Sequence, residues 1–416
     1  MLPIKLGNMA NSERDRVADW FRRFADAEGR ESPRYRDWAL GIADDEQLLA
    51  LIAKLPLPKR QPVLVLTCLR VAGVPLRPFD LVRDDIVNRW PAIAELATSH
   101  STQTNDPRRC TPLLVALHRI RGPIALIEVG ASAGLTLYPD RYSYVWTAPG
   151  RTITSHPADG PSPVTVTADV SGWGADVPKR PTVVYREGID LSPIDVRIDD
   201  QREWLEALVW PEQNDRLELV QAASTIVASD PPVMTAGDAV AAIRGAVARA
   251  RAAAPKATIV VSSPAVLVYL DPSDRAKFAQ YCRRAKVRWI SLDGRRVLPD
   301  IEAAADAAGI AGDFLLSLDG VPIASADPLG RQVTVYDPSG LAPTDIDLVE
   351  FERDNWGPAR SKETLVRKTW ALPLVRYYQR LYGIMETAAA RRYDPILVRS
   401  VAETGEPRTR PNPRRM

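Results

Sequence analysis

The chain has 416 residues, 45% hydrophobic and 25% charged, with a formal net charge of +2, a length that accommodates two or three domains and a large buried core. Its long apolar runs, PVLVLTCL from Pro62 and TIVVSSPAVLVYL from Thr258, fall short of the roughly 20 residues a bilayer span needs, so no membrane partner is expected. Cys68, Cys110 and Cys282 are far apart without C-x-x-C spacing, and MLPIKLGNMANSERDR lacks the pattern of a secretory leader, which together predict a reduced, cytoplasmic setting.

From residue 12 to about 120 the periodicity is helical. Ser12 is placed to cap a helix carrying Val17, Trp20, Phe21 and Phe24 on one face. Ser32-Pro33 and Asp106-Pro107 each put a capping residue before proline at a first helical position. After Gly122-Pro123, short Val- and Ile-rich runs alternate with longer helical stretches. Strands are predicted at 124–129, 182–186, 233–235, 258–262, 287–292, 314–318 and 332–336, with helices near 132–137, 199–228, 238–253 and 273–285. Such alternation signals a parallel sheet covered by helices. The turn-rich DGVPIASADPLGR between the last two strands is too short for a crossover helix, which predicts a terminal antiparallel hairpin at the sheet edge.

Residues 138–181, rich in Pro, Gly and Thr, read as an insertion, either a long functional loop or a small β element. Residues 351–416 hold 14 Lys/Arg against 7 Asp/Glu, a balance of +7 that leaves −5 on the other 350 residues. The expected organisation is a helical N-terminal region at 1–121, an α/β domain at 122–345 and a basic C-terminal helical extension and tail at 346–416.

The stretch IALIEVGASAGLTL admits two chemistries. Gly130-Ala131-Ser132-Ala133-Gly134 fits the G-x-S-x-G elbow of a serine hydrolase with Ser132 as nucleophile. Of the three isolated histidines, His100, His118 and His156, only His156 follows Ser132, 24 residues on, so the usual acid-then-histidine order is not met and no metal site is expected. Alternatively, a glycine-rich turn after the first strand holds a nucleotide-like ligand against a helix N-terminus. VVYREGIDLSPID then ends a second strand in Asp190, and PPVMTAGDAV ends a third in Asp238. Capping of the following helix is the competing role for both acids.

Those three turns resemble class I S-adenosylmethionine-dependent methyltransferases. The resemblance implies an α/β fold with a Rossmann-like, methyltransferase-type, mostly parallel sheet and a terminal antiparallel hairpin, preceded here by the helical N-terminal region. It implies S-adenosylmethionine as cofactor, an unidentified small-molecule or macromolecular acceptor, and no assigned catalytic residue. Glu128, Gly130 and Gly134 fall on the first motif, with Ser132 where a second glycine usually stands; Asp190 falls on the ribose acid and Asp238 on the adenine contact. Asp190 lies 60 residues after Gly130 in place of about 20, which requires 138–181 to be inserted. A non-catalytic nucleotide- or metabolite-binding protein on the same fold is the alternative.

Over residues 32–338, RQPVLVLTCL, TQTNDPRRC, EVGASAGLTLYPDRYSY, REGIDLSPIDV, WLEALVWPEQNDRLELVQAA and VRWISLDG occur in order and resemble the bacterial family catalogued as domain of unknown function 2332. Where that pattern has His-Ser at the end of the fourth strand, this chain has Ser262-Ser263.

Further candidates come from the same segments. Trp210, Glu212 and Gln213 offer one aromatic wall and polar groups for a substrate pocket, or else a core anchor and helix caps. Gln103, Asn105 and Arg109 suit a lid over the cofactor, and Ser262 belongs to the fourth-strand loop where substrate usually sits. Tyr142 or Tyr144 stacks on a ligand base, or both are simply buried with Asp140 and Arg141 paired. In the basic tail, RKTWALPLVRYYQRLYG reads as a docking helix in preference to a nucleic-acid contact.

Overall fold

A computed structural model of the chain describes residues 6–173, 178–336, 341, 343–354 and 359–404. Seven helices come first: α1 (Leu6–Asp26), α2 (Pro33–Ala43), α3 (Glu46–Ile52), α4 (Pro62–Val71), α5 (Phe79–Asn88), α6 (Trp90–Ser99) and α7 (Cys110–Leu117). Helix α1 begins before Ser12, which therefore lies inside it and does not cap it. The caps at the two X-Pro steps form as their chemistry dictates. Ser32 Oγ accepts the Tyr35 N–H at 3.1 Å, and Asp106 Oδ1 accepts the Arg108 N–H at 3.0 Å.

The α/β part follows as β1 (Pro123–Val129), β2 (Ser143–Ala148), β3 (Arg151–Ser155), β4 (Thr165–Ser171), β5 (Thr182–Asp190), α8 (Asp199–Ala207), α9 (Asn214–Ser229), β6 (Val233–Ala236), α10 (Ala239–Ala253), β7 (Thr258–Pro264), α11 (Pro272–Arg284), β8 (Arg288–Gly294), α12 (Pro299–Ala307), β9 (Phe314–Leu318), β10 (Val321–Ala326) and β11 (Gln332–Val335). One sheet contains all of these strands in the order β3-β2-β4-β11-β10-β9-β8-β7-β1-β5-β6. From β8 to β6 the neighbours are parallel. Both faces of this half are apolar. The N-terminal helices cover one face against Leu126, Val260 and Ile290, and α10 and α11 cover the other against Ile127, Val261 and Trp289.

Three expectations are corrected. Residues 132–137 form no α-helix: after Gly134 the chain makes only a short 3-10 turn, Leu135–Leu137. The last two expected strands are not hairpin partners, because β10 lies between them and pairs antiparallel with both. Nor do they end the sheet. The 138–181 insertion is a β element whose β4 pairs parallel with β11, extending the sheet by three strands.

The C-terminal segment is helical: α13 (Pro343–Asp354), α14 (Ala359–Trp370), α15 (Leu374–Met385), α16 (Ala388–Tyr393) and α17 (Pro395–Thr404). These helices share a small core of their own that includes Leu348, Val366, Tyr377, Leu381 and Leu397. An ion pair from Arg353 to Asp319, at 3.8 Å, ties them to the turn after β9.

Candidate functional site

In the parallel half, β1 lies between β5 and β7, so the crossovers to either side leave a crevice at its C-terminal end. A cavity of about 980 Å³ opens there. It is bordered by Gly130 and Ser132 after β1, Asp190 at the end of β5, Asp238 after β6, Asp293 in β8 and Arg109 at the start of α7.

The GASAG turn is tightly packed. Gly130 has φ +75°, and a Cβ there would stand 2.6 Å from Val266 Cγ2. A Cβ on Gly188 of β5 would stand 2.7 Å from Ala131 Cβ, which accounts for the glycine in REGID. Ser132 and Ala265 both border the cavity with left-handed backbones, at φ 51° and 55°. Such conformations are costly for residues with a Cβ, and they gather at functional sites.

Asp190 braces this turn. Its Oδ2 accepts the Ser132 N–H at 2.8 Å and its Oδ1 accepts the Ser192 N–H at 2.9 Å. Gln103 completes the clamp, accepting from Ser132 Oγ at 2.5 Å and donating to the Ser192 carbonyl at 2.8 Å. Asn105 is buried behind the turn, donating to the Ala131 carbonyl at 3.0 Å and accepting the Leu135 N–H at 2.8 Å. It supports the loop from outside the cavity. Asp238 caps α10, its Oδ1 accepting from Val240 and Ala241 at 2.9 and 3.0 Å.

Glu128 is buried below the turn, where Thr136 Oγ1 donates to it at 2.5 Å. Burial pushes its carboxyl up to about 8, against the opposing pull of Thr136 and the Arg109 charge. Arg109 donates to the carbonyls of Pro328 and Thr104, each at 3.0 Å. Burial lowers its pKa, and the charges of Asp106 and Glu128 work the other way. Ser262 sits beside Glu128 in the β1–β7 register and is buried, outside the residues that line the cavity.

Trp210, Glu212 and Gln213 do not reach this crevice. Trp210 packs on Phe24 and Tyr35 with ring centroids 5.7 and 5.8 Å apart. Glu212 accepts from Ser32 Oγ at 2.5 Å and the Arg34 N–H at 2.9 Å, and Gln213 donates to Glu31 at 3.3 Å. The three fasten the N-terminal helices to the start of α9. Tyr142 and Tyr144 are likewise core residues, donating to the carbonyls of Leu135 and Pro139 at 2.5 and 2.8 Å. Asp140 pairs with Arg186 at 2.7 Å and Arg141 with Asp230 at 3.4 Å, not with each other.

Asp293 of β8, within VRWISLDG, is a site residue that the sequence motifs do not single out. It is buried at the cavity wall, and neither carboxylate oxygen makes a hydrogen bond of ordinary geometry. Burial pushes its pKa up to about 7, drawn back only in part by the Leu267 amide and the charges of Arg275 and Arg109. The sequence carries a signal for it: an acid directly after the strand expected at 287–292, as Asp190 and Asp238 stand within a few residues of the ends of 182–186 and 233–235.

The nucleophile reading of Ser132 finds no base hydrogen-bonded to its hydroxyl. Ser132 Oγ donates to an amide oxygen, which takes no proton, and no histidine lines the cavity among the described residues. His100 packs on Trp204 at 4.2 Å, His118 accepts the Lys179 N–H at 2.7 Å, and His156 bonds Ser143 Oγ at 2.9 Å. Burial also pushes the thiols of Cys68 and Cys282 up to about 12, far from the thiolate form at neutral pH. Among the described residues no group of His, Cys, Asp and Glu is arranged to hold a metal ion, and no helix is long and apolar enough to cross a membrane.

The cavity walls draw on segments from residue 58 to residue 314. A family model described as an uncharacterized protein conserved in bacteria (DUF2332) matches residues 18–332. The chain belongs to this family. The DUF2332 match takes in all of the cavity lining and ends at the first residue of β11. A second model, described as a protein of unknown function (DUF3263), matches residues 340–412. No curated protein and no solved structure matches the chain.

Proposed function

We propose that the crevice binds S-adenosylmethionine and that this DUF2332 protein transfers a methyl group to an acceptor held beside Asp293. The observation that carries the reading is the arrival of Gly130, Asp190 and Asp238 at the ends of three neighbouring strands, β1, β5 and β6, around one cavity. At about 980 Å³, that cavity suits a nucleoside-sized ligand together with a second molecule.

The residues present fit the cofactor, with one difference. Gly130 leaves the backbone open to close approach, and Asp238 keeps Oδ2 free of its capping bonds for an amine. Asp190 retains acceptor capacity beyond its two backbone amides. The difference is that no α-helix follows β1, so the turn supplies backbone groups without a helix dipole. When bound, S-adenosylmethionine supplies an electrophilic methyl group on a good leaving group. The protein's part is then alignment, since proximity and orientation carry most of such a barrier. With a pKa of about 7, Asp293 is partly carboxylate at neutral pH and accepts the proton that an O–H or N–H acceptor gives up.

Calorimetric titration with S-adenosylmethionine and S-adenosylhomocysteine tests the reading. Expected is micromolar binding that Asp238→Ala weakens about tenfold, on the order of 1.4 kcal/mol. Binding that survives without methyl transfer to any candidate acceptor favours the metabolite-binding alternative. Absence of binding to well-folded protein overturns the proposal, and fluorophosphonate labelling lost in Ser132→Ala would then favour the hydrolase.

A further inference from the structure

Helices α14 and α15 are joined by three residues, since α14 ends at Trp370 and α15 begins at Leu374. The first linking residue, Ala371, has φ 51°, a left-handed conformation that turns the chain sharply and is usually given to glycine. Val366 of α14 and Tyr377 and Leu381 of α15 meet in one core with Leu348 and Val349 of the preceding α13. Two helices with a turn of this length, backed by a third, make the architecture in which the second helix is presented outward.

What α15 presents is specific. It buries Tyr377, Leu381, Ile384 and Met385 and leaves exposed, besides Val375, the residues Arg376, Gln379, Arg380 and Gly383. Those four fall at i, i+3, i+4 and i+7, a single stripe along the helix. Gly383 is the informative member. Glycine inside a helix costs on the order of 1 kcal/mol relative to alanine, yet a Cβ at this position would meet nothing within 4 Å. No neighbour in the chain calls for a glycine there, whereas a surface that must come close to the helix backbone does.

The charge fits one kind of partner. Residues 362–385 hold five Lys/Arg and one acid; Lys362 is buried against Glu352, Arg380 pairs with Asp345 at 2.7 Å and Arg367 with Glu363 at 3.7 Å, which leaves Arg367, Lys368, Arg376 and Arg380 as the exposed cations. Arg376 and Gln379 stand side by side, with Arg376 Nη1 donating to Gln379 Oε1 at 3.4 Å. Arginine matches the O6/N7 edge of guanine and glutamine the N6/N7 edge of adenine, both displayed in the major groove.

We propose that α14 and α15 form a helix-turn-helix and that α15 reads the major groove of duplex DNA. Arg376 and Gln379 contact base edges, Gly383 lets the helix seat against the duplex, and the exposed Arg367 and Lys368 of α14 face phosphates. The chain outside residues 351–416 carries −5, so the duplex is held through this unit and away from the acidic body. The inference is independent of the cofactor proposal.

The test uses the full chain, a labelled duplex pool of about 30 base pairs with a randomised centre, and binding from about 50 to about 200 mM salt. Expected is duplex binding that weakens steeply with salt, with enrichment of a discrete sequence. Arg376→Ala should weaken binding to that sequence tenfold or more, and Gln379→Ala should relax the preference at one position. Gly383→Leu should raise the melting temperature while weakening DNA binding, a combination that a purely structural role does not produce. No duplex binding overturns the proposal, as does equal binding to single strands or heparin with no sequence enriched. Binding unchanged by both Arg376→Ala and Gly383→Leu, but lost when residues 405–416 are removed, overturns it too.

Discussion

Asp190 reaches across 58 residues of sequence to accept the backbone N–H of Ser132 at 2.8 Å, so the end of β5 holds the turn after β1 in its left-handed conformation. The acid that the ligand hypothesis assigns to a ribose is therefore also the peg of the loop. Asp190→Ala should destabilise the protein by about 2 kcal/mol, the scale of charge-assisted hydrogen bonds, and weaken ligand binding together with it. Asp238→Ala should lower affinity with a smaller stability loss, that of a helix cap, about 1 kcal/mol. Urea unfolding and calorimetry on both variants separate the two roles, and equal stability losses would count against the peg.

Gly130 combines a positive φ with a steric limit at Val266. Gly130→Ala should cost about 1–2 kcal/mol for the left-handed backbone alone, plus the clash. Adding Val266→Ala should recover only the steric share. Full recovery in the double variant would mean that φ carries no cost there.

Burial raises the pKa values of both Glu128 and Asp293 above those of an unfolded chain, to about 8 and about 7. Unfolded carboxyls lose their protons near pH 4, so between about pH 4 and about pH 8 the folded state binds more protons than the unfolded one. Stability should therefore fall as pH rises through that window and level off above it. Glu128→Gln and Asp293→Asn should each flatten part of the slope in melting temperature against pH. An unchanged slope would show that the two acids are ionised throughout.

Glu212 joins the N-terminal helices to α9 through Ser32 and the Arg34 amide. Glu212→Ala should cost about 1–2 kcal/mol, as expected of a carboxylate lost from two hydrogen bonds, and leave ligand affinity unchanged. A loss of affinity without a loss of stability would return Glu212 to the pocket.

The parallel strands were readable because Val- and Ile-rich runs stand between Gly and Pro punctuation, and their acids fall where strand ends meet the crevice. Strand β10 was not, because VPIASA combines Pro, Ala and Ser, whose β propensity is low, and it is held by burial between two partners. The β nature of the insertion left a trace in TVTADVS, whose Val and Ala alternate with exposed residues. No helix forms at 132–137, because Asn105 and Asp190 hold the backbone amides of Leu135 and Ser132 in a turn. The Glu212 clamp was illegible for a simpler reason: its partners lie about 180 residues away.

The pairing of β4 with β11 also sets the timing of assembly. During synthesis β4 is complete about 160 residues before β11 exists, a wait of roughly 10–30 s at 5–20 residues per second. Through that interval one side of β4 has no strand beside it, and the nascent chain carries an open sheet edge. The far half of the sheet closes only when β11 leaves the ribosome, so a late-made strand joins the much earlier β2–β4 element to the rest of the sheet.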